Sequence, residues 1–106
     1  MNSQLSIRLK GTFGRGGLSE FRDRVGLTPR GRVDDDWDEE FGRRELRPEQ
    51  AGRVRLSLWR YADDDWMLSL RYEDDPLPAA EVEELRRTVL DAAAGAGLTV
   101  TAQTPS

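Results

Sequence analysis

Two identical tetrapeptides, Asp34-Asp35-Asp36-Trp37 and Asp63-Asp64-Asp65-Trp66, gather the side chains of this sequence best suited to chemistry. Adjacent carboxylates repel one another, so each run must be solvated or must face a cation, a basic partner or a helix N-terminus. Carboxylates hold metal ions, and a pair whose pKa values are driven apart serves as acid and base. Counted from Asp34, acids at positions 1, 3 and 5 (Asp34, Asp36, Asp38), Phe41 at 8 and Glu45 at 12 reproduce part of a calcium-loop spacing. Position 6 is Glu39 where that loop turns on glycine, and Pro29 and Gly31 stand where its entering helix belongs. A solvated acidic stretch is therefore the expectation, with a low-affinity calcium loop as an alternative, and no metal ligand is assigned. Catalysis by paired carboxylates needs a cleft that raises one pKa, whereas both runs fall in expected loops.

The remaining chemistry is narrowed by what the chain lacks. Its 106 residues include no histidine and no cysteine, which removes the usual serine triad, cysteine nucleophiles, thiolate zinc sites and disulfides. Gly11, Gly14, Gly16 and Gly17 with Arg15 join a strand to a helix, where backbone N–H groups can cradle phosphate, but their spacing fits neither the Walker nor the dinucleotide pattern. A flexible connection is expected there. No catalytic residue and no cofactor are assigned, and a non-enzymatic role is expected.

The elements that position these groups follow from periodicity. Leu5, Ile7 and Leu9 alternate with polar residues as a strand buried on one side. Leu18, Phe21 and Val25 predict a short helix stopped by Gly26 and Pro29. Residues 28–52 show no clear pattern and are expected as a long loop or insertion, within which acids before arginines allow a helix over 36–47. A hairpin follows: Val54, Leu56 and Leu58 alternate on one strand, and Trp66, Leu68, Leu70 and Tyr72 on the next. A three-residue loop of Asp63, Asp64 and Asp65 would set Arg55 opposite Glu73 and Arg53 opposite Asp75, which is preferred over a longer loop that opposes Arg55 and Arg71. Pro78 opens a second helix lined by Val82, Leu85, Val89 and Ala93, with Glu83 placed to pair with Arg87. Leu98, Val100 and Ala102 form a last strand, and 103–106 should fray.

The order β-α-loop-β-β-α-β predicts a single α+β domain over 1–106. Its expected architecture is a ferredoxin-like split βαβ fold, a four-stranded antiparallel sheet with two helices on one face and a long insertion between the first helix and the second strand. The face turned away from the helices then carries Ser6, Arg8, Lys10, Arg53, Arg55, Ser57, Trp59, Tyr61, Met67, Ser69, Arg71 and Thr101. Such an aromatic and basic surface suits a protein interface or a single-strand nucleic-acid platform, unless the long loop covers it with Trp37 or Phe41 packed on Trp59.

Charge bears on the choice. Net charge is −4, arranged in blocks: seven basic against two acidic residues in 1–33, six acids in 34–40, six basic against two acidic in 41–60, and three basic against ten acidic in 61–106. The acidic total counts against nucleic acid. No apolar run reaches the length of a membrane span, so a cytoplasmic protein without a membrane partner is expected. The functional expectation is a binding module for another protein or for a second copy of itself. It would use Arg53, Arg55, Trp59 and Tyr61 with the acidic loops of Asp34, Asp35, Asp36 and Trp37 and of Asp63, Asp64 and Asp65. One version is an inhibitor of a basic enzyme whose acidic loops imitate phosphates.

Overall fold

The computed structural model describes residues 2–29, 39–46, 53–73 and 75–104. The elements are β1 (Asn2–Lys10), α1 (Gly17–Val25), β2 (Thr28–Pro29), β3 (Glu39–Glu45), β4 (Val54–Ala62), β5 (Asp65–Tyr72), α2 (Ala79–Gly95) and β6 (Thr99–Thr104). The chain is an α+β protein built on one antiparallel sheet of order β2-β3-β4-β5-β1-β6.

Alternation dictates the core. Leu5, Ile7 and Leu9, then Val54, Leu56 and Leu58, then Trp66, Leu68 and Leu70 bury on the same face. Phe21 and Val25 of α1 and Val82, Val89, Ala92 and Ala93 of α2 complete that cluster from the other layer. Each fully buried aliphatic side chain contributes about 1.5–3 kcal/mol. Helix α1 ends where expected, because Gly26 takes the left-handed conformation and returns its N–H to the Arg22 carbonyl.

Four expectations are corrected. The sheet has six strands rather than four, because the segment expected as a loop or helix supplies β2 and β3. β3 lies beside β4 in extended pairing, with a bulge at Phe41 and Gly42 facing Leu58. Bulge and glycine together erase the alternation that announces a strand. The β4–β5 hairpin turns on Asp63 and Asp64 alone, and a bulge at Tyr61 restores the register so that Arg55 faces Arg71. No non-glycine residue among those described has positive φ, so this turn is not one of the mirror-image types that match strand twist. The bulge supplies the twist instead. Glu83 pairs with Arg86 at 3.0 Å rather than with Arg87. In β6 a bulge at Thr101 turns Ala102 outward and sets Gln103 opposite the buried Ile7, and the strand runs to Thr104.

Candidate functional site

Helices α1 and α2 occupy one side of the sheet, and none of the described elements lies over the other. That open face is built by the alternate residues of β3, β4, β5 and β1. A bulge in β1 between Ser3 and Leu5 turns Gln4 away, and its amide clamps the Leu77 backbone, donating to the carbonyl at 2.6 Å and accepting from the N–H at 2.9 Å. Ser3 therefore joins Ser6 on the open face, 3.2 Å away hydroxyl to hydroxyl.

At the centre lies a shallow cavity of about 330 Å³ walled by Trp59, Tyr61 and Met67, floored by Ser6 and Ser69, and rimmed by Ser3 and Arg71. Trp59 is half-buried, and its indole N–H donates to the Ser69 hydroxyl at 3.2 Å. The Tyr61 hydroxyl reaches the Met67 sulfur at 3.9 Å, while its ring stacks under the Arg8 guanidinium at 4.9 Å. Tyr61 is 38% exposed, the large hydrophobic residue most open to solvent among those described.

The charges of this face are mostly spent on each other. Arg8 grips Asp65 through two bonds of 2.8 and 2.6 Å, and this hydrogen bonding is the main cause that lowers the Asp65 pKa and raises that of Arg8. Lys10 reaches Asp64 at 3.3 Å, Arg43 reaches Glu40 at 2.7 Å and Arg55 reaches Glu45 at 2.9 Å. Arg71 has no ion pair among the described residues.

The structure brings Arg55, Trp59 and Tyr61 together on one face, as the alternation implies, adds Asp65 to it as a strand residue rather than a loop residue, and leaves Arg53 exposed just before β4. It divides the second acidic run: Asp63 stands at the hairpin tip, 3.4 Å from Arg60, while β1 cations hold Asp64 and Asp65. Trp66 turns inward, edge-on to Phe13 and Phe41, with its N–H on the Gly11 carbonyl at 3.2 Å. Phe41 thus packs on the helix side and not on Trp59. Asp34, Asp35, Asp36 and Trp37 lie outside the described residues. Of the calcium-loop spacing, Phe41 and Glu45 sit in an extended strand, and Glu45 is paired with Arg55. Glu40, Arg43, Glu45 and Ser3 are the members of this face that sequence reasoning missed.

A larger groove of about 560 Å³ is lined by Arg44 and Leu46 and by Leu77, Glu81, Glu84, Leu85 and Thr88 at and before the first turns of α2. Arg44 there donates to the Val25 carbonyl at 3.3 Å, a structural tie to the end of α1. Size favours this groove, but the open face holds the aromatic side chains that dominate recognition energetics and is the better candidate. No group of three or more acids that could hold a metal ion is found among the described residues, and no helix is long and apolar enough to cross a membrane. Comparison with protein-family models, curated proteins and solved structures finds no match to the chain.

Proposed function

We propose that the chain is a small non-enzymatic binding module that engages another protein through the open face of its sheet. The observation that carries this reading is the Trp59, Tyr61 and Met67 patch on the side the helices leave uncovered. Aromatic residues, methionine and arginine are the types enriched at interfaces, and an amphipathic ring with a satisfied polar edge, as in Trp59, is the common form of an energetic anchor. The paired charges around it form a polar rim. Single-strand nucleic acid fits less well, because four of the cations on this face already hold carboxylates and few are left for phosphates. Phosphate imitation by Asp63, Asp64 and Asp65 is weakened in the same way, since two of the three are neutralised from β1.

The fold itself supports a binding scaffold. We read the strands β4-β5-β1-β6 with α1 and α2 as a ferredoxin-like split βαβ unit, extended at the β4 edge by β3 and β2; the sheet order and the two helical crossovers support that reading. The reading is tested by photo-crosslinking in cells. A benzophenone side chain at position 61 should give a discrete adduct that Trp59→Ala abolishes, and the same group at position 84 on α2 should not. Equal adducts from both positions, or an adduct indifferent to Trp59→Ala, would refute it. A second copy of the chain in the adduct would identify the partner as the protein itself.

A further inference from the structure

We propose that the cavity on the open face receives an acidic peptide segment, its carboxylate set against Arg71 and an apolar or aromatic side chain laid on Trp59, Tyr61 and Met67. The proposal rests on the reading of the open face as a binding surface and names what that surface selects. Arg71 faces Arg55 directly across β4 and β5, and it faces Ser3 across β5 and β1. Like charges directly opposite each other in a sheet are unfavourable. Arg55 is compensated by Glu45 at 2.9 Å, but Arg71 has no ion pair among the described residues. Arg8, Lys10, Arg43 and Arg55 all hold carboxylates of the same face, so the cavity has its one uncommitted guanidinium, among the described residues, at its rim. A carboxylate arriving there makes a charge-assisted pair and offsets the repulsion from Arg55 at once.

The cavity floor adds a second element of fit. Ser69 is buried and accepts from the Trp59 N–H, which leaves its own hydroxyl hydrogen to donate to an incoming carbonyl or carboxylate. A volume of about 330 Å³ suits one large side chain with its flanking backbone.

The test is titration of the ¹⁵N-labelled protein with acetyl-Gly-Asp-Trp-Asp-Gly-amide, compared with the peptides in which Lys replaces both Asp or Ala replaces Trp. The Asp-Trp-Asp peptide should saturate, shift the Trp59 indole and the amides of Ser69, Leu70 and Arg71, and bind about tenfold or more tightly than either control. Arg71→Gln, at an exposed site that leaves the fold intact by circular dichroism, should remove that preference over the Lys peptide. Equal binding of the Asp and Lys peptides overturns the inference, as does no saturation at about 10 mM peptide. Arg71→Gln without effect while Trp59→Ala abolishes binding rejects the carboxylate site and leaves the binding face standing. Insensitivity to both variants removes the binding face as well. Tighter binding of an oligothymidylate that depends on Arg71 would assign the site to nucleic acid.

Discussion

Gly42→Ala separates the observed fold from the one the sequence suggests by the sign of its effect. Gly42 lies buried in β3 opposite Leu58, with β2 on its other side. A Cβ built there would stand 2.9 Å from the Leu27 Cβ and 3.0 Å from its Cδ1. The Cδ1 can rotate away, but the Leu27 Cβ is fixed to its backbone, so the strands must separate locally. Overpacking of this kind costs about 1–3 kcal/mol. Gly42 does not have positive φ, so alanine is compatible with its backbone and recovers about 0.4–1 kcal/mol by restricting the unfolded chain. The net expectation is a loss of about 1–2 kcal/mol, or roughly 5–15 °C in Tm for a domain of this size. Thermal and urea unfolding followed by circular dichroism give both quantities. In a Leu27→Ala background most of the penalty should persist, since the Cβ contact at 2.9 Å remains, whereas Leu27→Gly should relieve it because touching residues couple. Were residues 36–47 helical, Gly42→Ala would instead gain about 1 kcal/mol. A variant as stable as the parent or more stable would therefore refute the placement of β3 against Leu27.

Two further outcomes follow from the charged groups. Asp65 has its pKa lowered in the folded state, chiefly by the Arg8 hydrogen bonds, so its contribution is present above the unfolded carboxylate value and is lost as pH falls through the lower folded one. Acid titration of stability below about pH 4 should be shallower in Asp65→Asn, with a difference under about 1 kcal/mol because the pair is partly solvated. The Arg22 Nε is buried without a hydrogen-bond partner among the described residues, and burial lowers the guanidinium pKa, so the folded state bears a desolvation cost at neutral pH. Arg22→Met should raise stability by roughly 1 kcal/mol in urea unfolding, and a clear loss would show that the guanidinium is a net contributor.

Most of the fold is legible in the sequence where apolar residues keep a strict period. Leu5, Ile7 and Leu9 and the hairpin leucines fix one buried face, and Pro78 and Gly26 mark helix boundaries. β3 escapes because Phe41 sits in a bulge, Gly42 has no side chain, Glu40, Arg43 and Glu45 carry charges that serve the open face, and Arg44 is spent on the end of α1. β3 also decides the hairpin register. Without Glu45 beside it, Arg55 opposite Arg71 looks unfavourable, so Glu73 appears the better partner; in the structure the Glu73 N–H bonds the Arg53 carbonyl at 2.9 Å instead. Trp59, Tyr61, Met67, Ser69 and Arg71 of the cavity were all readable from alternation. Ser3 was not, because the β1 bulge exchanges it with Gln4.

If partners meet the open face of the sheet, the two described tryptophans report on its two sides. Trp59 borders the cavity, with its indole N–H on Ser69, whereas Trp66 is 5% exposed on the helix side, with its N–H on Gly11. Indole resonances assigned by Trp→Phe substitution should be followed while the cross-linked partner is added. Binding at the open face predicts that the Trp59 signal shifts or broadens in proportion to complex formed while the Trp66 signal holds its position. Movement of Trp66 with Trp59 unchanged would contradict it.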